Sequence, residues 1–220
     1  PGDDFDNDGL SNEGEYLNAT DPTDPDSDDD GFTDGQEVVG GSDPNDGGST
    51  PTDFTWTGTV NSSWHEPGNW DVGVAPVDGT DVTIPAGSLV EHTAASGTSS
   101  LNRLTCDGQL NLIGGILNLG SVSSIGSTGF LSLSGGTLGG SGTLRVEGAM
   151  NWAEGVMDGG GETEIASGGT LNISGSEQKR LAYRALSNSG TVIWSDTGDL
   201  YGVRSSNPTV INNAGTFEIR

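Results

Sequence analysis

Gln109-Leu110-Asn111-Leu112 and Phe130-Leu131-Ser132-Leu133 are two copies of one short pattern. It returns as Ala149-Met150-Asn151-Trp152, Thr170-Leu171-Asn172-Ile173, Thr191-Val192-Ile193-Trp194 and Thr216-Phe217-Glu218-Ile219. Successive copies start 21, 19, 21, 21 and 25 residues apart. Within each, alternate positions are apolar, which is the period of a strand with one buried face. Most copies follow a glycine directly and stop at serine, glycine or a charge. Secondary runs lie between them at 115–119, 142–146, 162–165 and 208–211.

A repeat of about 20 residues built from short strands points to a solenoid. Helical periodicity is absent and glycine turns are frequent, which argues against a leucine-rich horseshoe. The expected fold class is therefore mainly β, a parallel β-helix whose inward Leu, Ile and Val stack from coil to coil. The alternative is an antiparallel β-sandwich with many hairpins. The runs repeat in register and not as mirrored pairs, which favours the solenoid. Trp152 and Trp194 occupy the position held by Leu112, Leu133 and Ile173, so they are expected inside the column.

The first fifty residues have another character. They hold 16 of the 32 acids and no Lys or Arg, and the first positive side chain is Arg103. From there on, 10 acids face 7 bases, so most of the formal charge of -25 lies at the front. With no basic stripe to release counterions, the chain is not expected to bind nucleic acid or anionic membrane surfaces. An arbitrary acidic run would be a solvated tail. Here the acids sit at fixed offsets. Asp4, Asp6, Asp8 and Glu15 fall at positions 1, 3, 5 and 12 of a loop with Gly9 at position 6. Asp26, Asp28, Asp30 and Glu37 repeat this around Gly31, with a period of 22. That spacing gives a hard cation its oxygens from one short turn, and glycine permits the sharp bend at position 6.

With the Thr/Ser-Asp-Pro spacer that follows each loop, residues 3–46 resemble the bacterial thrombospondin type 3 repeat, a relative of the EF-hand loop. The resemblance implies calcium, about two ions. It implies side-chain ligation by Asp4, Asp6, Asp8 and Glu15, with the Leu10 carbonyl at position 7 and Asn12 at position 9, directly or through water. For the second ion it implies Asp26, Asp28, Asp30, the Phe32 carbonyl, Asp34 and Glu37. The spacer acids Asp21, Asp24, Asp43 and Asp46 either add ligands for further ions or only begin turns. Short helical turns are expected at 11–18 and 33–39. The few apolar residues here cannot offset the ordering entropy and the carboxylate repulsion, so the segment should need calcium to fold.

The expected organisation is calcium-binding repeats at 1–46, a linker of small residues at 47–52, and a solenoid domain at 53–220. Residues 53–87 open that domain with Phe54-Thr55-Trp56-Thr57-Gly58, Trp64-His65-Glu66-Pro67-Gly68-Asn69-Trp70 and Asp81-Val82-Thr83-Ile84-Pro85. Over 54–87 this resembles the start of bacterial extracellular β-solenoid repeat domains, and it reads as a cap over exposed strand edges. The same three tryptophans, with His65 and Glu66 beside them, are the candidate for a sugar-stacking platform.

No catalytic set is apparent, and the expectation is a protein that is not an enzyme. A polysaccharide lyase would need a Lys or Arg base, and Lys179, Arg180 and Arg184 form the one basic cluster. Leu181, Tyr183 and Leu186 alternate there as an ordinary strand, which would turn the bases to solvent or toward Glu177. The single cysteine, Cys106, reads as a buried free thiol. Asn18-Ala19-Thr20 matches a glycosylation triplet that would be idle in a bacterium.

The chain opens inside a repeat and ends on a strand-like run, which suggests a segment of a larger secreted protein. No run approaches the length of a membrane span. The functional expectation is a calcium-stabilised structural segment of a secreted or cell-surface bacterial protein, serving adhesion, surface or filament assembly. Its partners would be calcium and adjoining coils or further copies of itself. The alternative is a carbohydrate-binding module of a polysaccharide-degrading enzyme, with polysaccharide as partner.

Overall fold

The computed structural model describes residues 2–203 and 209–220. Two seven-residue helices come first, α1 (Asn12–Asn18) and α2 (Asp34–Gly40). Each starts behind a hydroxyl cap. Ser11 Oγ accepts from the Gly14 amide, and Thr33 shares a reciprocal capping box with Gln36. Each ends on a left-handed residue, Ala19 or Gly41.

Apart from two three-residue 3-10 turns at Pro67–Asn69 and Ala94–Ser96, the remaining elements are strands, and every pairing between named strands is parallel. β1 (Asp53–Thr55) lies on β2 (Asp81–Ile84). The first coil runs through β2, β3 (Leu89–His92) and β4 (Thr98–Leu101). The second is β5 (Arg103–Cys106), β6 (Gln109–Leu112) and β7 (Ile116–Leu119). The third is β8 (Ser123–Ile125) and β9 (Phe130–Gly139), and the fourth is β10 (Thr143–Val146) and β11 (Ala149–Met157). In both, the long strand turns a corner and serves two faces. The fifth is β12 (Glu162–Ile165), β13 (Thr170–Ile173) and β14 (Lys179–Leu181). The sixth is β15 (Ala185–Asn188), β16 (Thr191–Trp194) and β17 (Leu200–Gly202). β18 (Val210–Asn213) and β19 (Thr216–Ile219) begin another turn. The fold is thus a β-solenoid of about six turns over residues 81–219. The antiparallel sandwich is overturned by this uniformly parallel pairing.

The six aligned runs from Gln109–Leu112 to Thr216–Ile219 pair with one another in the register of their alignment. Leu112, Leu133, Trp152, Ile173, Trp194 and Ile219 are consecutive partners up one face, and His92 stands below Leu112. From Leu112 to Ile173 this column is wholly buried. Burying each such side chain contributes roughly 1.5–3 kcal/mol before entropy is counted. The secondary runs divide between the two other faces: β7 joins one, while β10 and β12 join the face that starts with β1. Of the run at 208–211, Pro208 lies outside the described residues and 210–211 begin β18.

Glycine makes the corner before this face possible. At Gly108, Gly129, Gly148, Gly169, Gly190 and Gly215, an added Cβ would sit 2.2–2.5 Å from a carbonyl oxygen of the neighbouring coil. No side chain fits there, so the backbone of one coil rests directly on the next.

The near end of the column is sealed. Trp56 and Trp64 both meet Trp70 edge-on with centroids 5.0 Å apart, and Trp64 lies 5.4 Å from the His92 ring. The Trp70 indole N–H donates to the Trp64 carbonyl at 2.9 Å. All three tryptophans are buried, as a cap requires.

Candidate metal centre

The two acidic loops are built alike, down to the backbone. Position 4 is left-handed in both, Asn7 and Asp29 each at φ 61°. Both are residue types that tolerate this conformation. Position 6 is Gly9 at φ 99° and Gly31 at φ 100°, where only glycine is unstrained. The first carboxylate of each loop then folds over the turn. Asp4 accepts from the Asn7 and Gly9 amides at 2.8 and 3.3 Å. Asp26 accepts from Asp30 and Gly31 at 3.2 and 3.0 Å. Asp8 and Asp30 accept from the amides two residues on, Leu10 and Phe32, at 2.7 and 2.9 Å.

The result is two triads, Asp4 with Asp6 and Asp8, and Asp26 with Asp28 and Asp30. Within each, one oxygen per residue lies within 4.8 Å of the others. Three carboxylates this close repel one another unless a cation lies between them.

Helices α1 and α2 bring Glu15 and Glu37 back to the triads. Both side chains are fully buried, and neither Oε atom of either finds a hydrogen-bond partner among the described residues. The same is true of Asp6 Oδ2, Asp28 Oδ2 and Asp30 Oδ2. Burial, then the charges of Asp6, Asp8 and Asp4, raises the Glu15 carboxyl above its ordinary value. Burial pushes Glu37 up to about 7. A buried, unpartnered carboxylate is among the costliest arrangements in a protein. No Lys or Arg lies in the first fifty residues to pair with these. All the orphaned atoms are hard oxygens, and the set is what a calcium ion takes.

The 22-residue units 4–25 and 26–47 each match the family model of the bacterial TSP3 repeat. Residues 4–47 are a pair of bacterial TSP3 repeats. No match to the chain was found among curated proteins or among solved structures.

Inside the TSP3 repeats, the position-9 side chains hold the loop backbone. Asn12 Oδ1 accepts from the Phe5 amide at 3.2 Å. The buried Asp34 takes the amide and hydroxyl of Ser27 at 2.9 and 2.7 Å. Both side chains brace the second residue of their loop. The spacer acids are exposed, and three of them start turns while the Asp24 amide closes the one begun at Asp21. Asp21 accepts from the amide and hydroxyl of Thr23 at 3.1 and 2.9 Å. Asp43 accepts from Asn45 and Asp46 from Gly48, each at 3.2 Å. None of Asp21, Asp24, Asp43 and Asp46 belongs to a metal-capable group among the described residues.

Elsewhere two expectations are corrected. The tryptophans proposed as a sugar platform present no open ring face, since they pack on each other beneath the surface. His65 is exposed, and Glu66 accepts from the Gly68 amide to cap a short turn. The basic cluster does not face solvent. Lys179 is buried, and its Nζ donates to the carbonyls of Gly175 and Glu177 at 2.9 and 2.8 Å. Arg184 is buried as well and serves carbonyls of three coils, while Arg180 alone is exposed. The strand pattern misled here because β14 stops at Leu181. Tyr183 turns left-handed at φ 59° and drives Arg184 inward.

Proposed function

We propose that this chain is a mechanical element, a calcium-stiffened TSP3 pair leading into a capped solenoid in a large secreted or cell-surface bacterial protein. The observation that carries it is the burial of Glu15 and Glu37 with no partner for their carboxylate oxygens among the described residues, each within the field of an aspartate triad. A divalent cation in each loop supplies the missing charge and locks helix to loop. In the first repeat we assign Asp4, Asp6, Asp8 and Glu15 as side-chain ligands, with the Leu10 carbonyl. In the second the ligands are Asp26, Asp28, Asp30, Glu37 and the Phe32 carbonyl. Millimolar calcium outside the cell would keep sites of even modest affinity filled.

The role assigned is structural and not catalytic. Lys179 and Arg184, the bases a lyase would use, spend their donors on backbone carbonyls. Among the described residues no helix is long and apolar enough to cross a membrane. Within the parent protein the solenoid would serve adhesion, a surface layer or filament assembly.

A chelator tests the calcium reading. Stripping the ion should make residues 1–46 sensitive to protease and lower the helical dichroism, while the solenoid stays folded. Equal protection with and without calcium would overturn it. Sizing and electron microscopy with calcium test assembly, and monodisperse monomers at high concentration would remove the filament role.

A further inference from the structure

The two calcium loops differ in one respect that their sequences conceal. In the second loop, Asp30 Oδ2 is buried and has no partner. In the first, the corresponding oxygen, Asp8 Oδ2, accepts a 2.6 Å hydrogen bond from the Gly35 amide, 27 residues along. Gly35 belongs to α2, the helix that carries Glu37 to the second loop. The Thr33 hydroxyl, just before α2, donates to the Asp8 carbonyl at 3.2 Å. The fit leaves no slack: a Cβ on Gly35 would lie 2.6 Å from that carbonyl and 3.0 Å from the Leu10 amide nitrogen. The helix is also pinned to its own loop through the Asp34 carboxylate and Ser27.

We infer that the Asp8–Gly35 hydrogen bond makes calcium binding by the two loops cooperative, with α2 as the relay. This rests on the calcium reading above. An ion in the first loop fixes Asp8, which seats the start of α2. A seated α2 holds Glu37 in place for the second ion, so part of its ordering cost has already been met. By linkage the effect runs equally in the other direction. Gly35 is a positioning residue: it touches no ion and acts through Asp8. Glu13 occupies the equivalent place in the first repeat, so a glycine here is not a feature of the repeat unit.

Calorimetric titration of the calcium-stripped full chain tests this, with far-ultraviolet dichroism as a second readout. The native chain should bind two ions with a Hill coefficient above one. Glu15→Gln cripples the first loop, and the surviving ion should then need about tenfold more calcium. Glu37→Gln should weaken the first loop by the same factor. Gly35→Ala removes no carboxylate, but its methyl separates α2 from Asp8. In that background two ions should bind independently, and Glu15→Gln should leave the second loop unchanged. Plain charge neutralisation between neighbouring loops would survive Gly35→Ala, so an undiminished effect in that variant overturns the relay. Independent binding in the native chain, or unequal factors for Glu15→Gln and Glu37→Gln, also overturns it while sparing the calcium reading. A native chain that binds no calcium overturns both.

Discussion

Arg184 Nε donates to Thr163 Oγ1 at 2.9 Å, and both side chains are wholly buried. The same guanidinium reaches the carbonyls of Glu162 and Gly142 through Nη2, at 2.8 and 3.2 Å, and that of Gly140 through Nη1 at 3.3 Å. One cation thus ties three successive coils together at a corner. Burial pulls it down to about 10, still far above neutral, so it remains charged.

Removing it should therefore cost more than a surface cation would. Arg184→Met keeps most of the volume but leaves several buried carbonyls unpaired, at roughly 1–3 kcal/mol each before relaxation. The urea midpoint of the solenoid should drop by an amount equivalent to about 3 kcal/mol or more. Thr163→Val removes one acceptor and should cost only about 1 kcal/mol. Equal midpoints for Arg184→Met and native protein would show that the corner does not depend on the arginine.

The corner glycines offer a test of a different kind. In Gly169→Ala the new methyl would meet the Val146 carbonyl oxygen at 2.2 Å, so the coils must separate. Overpacking of this sort costs about 1–3 kcal/mol or more. Gly160→Ala is the control, since nothing lies within 4 Å of its Cβ position. Thermal melts should show a clear loss for the first and almost none for the second.

His92 should give the solenoid a pH dependence independent of the acidic repeats. Its Nδ1 pairs with the Gly114 carbonyl at 2.9 Å and its Nε2 with Ser99 Oγ at 3.1 Å, beneath Trp64. Burial holds the imidazole below its ordinary value, and the nearby His65 adds to the effect. The folded state therefore favours the neutral ring. Its contribution to stability is complete above about pH 6.5 and is lost as pH falls through the lower folded value. At saturating calcium, the melting temperature should fall between about pH 6.5 and pH 5. His92→Leu, which matches the next residue of its column, should flatten that fall. An identical pH profile in the variant would assign the effect to other groups.

Cys106 should be inert in the native state. Its thiol is buried, donates to the Gly108 carbonyl at 3.4 Å, and is pushed up to about 12 by burial. Labelling at pH 8 should be slow and should accelerate with denaturant in step with unfolding. Rapid labelling without denaturant would mean that this part of the core opens locally.

Much of this architecture was legible because a solenoid writes its register into its sequence. Each inward Leu or Ile must stand on its partner, so aligning the runs by pattern already aligned the strands. The division into three faces was not legible. β9 and β11 each run around a corner as one strand, with register shifts at the bend, and the secondary runs belong to two different sheets. Lys179 and Arg184 were misread for a physical reason. Pattern reading places cations outside, and only the fold supplies the carbonyls that let them come in. The calcium loops were legible as spacing, since every carboxylate that converges is local. The tasks of Asn12, Asp34 and Gly35 were not, because each depends on an amide or carboxylate brought close by folding.

The tryptophan cap has a consequence for the direction of the whole object. It closes the column below His92, and from there each coil rests on the one before it in parallel register. Position along the solenoid is therefore counted from the capped side. Each coil added or deleted in the middle would move every later coil by one strand spacing, about 4.8 Å, and leave the sealed end and the calcium loops unchanged. The solenoid is in effect a ruler with a fixed zero.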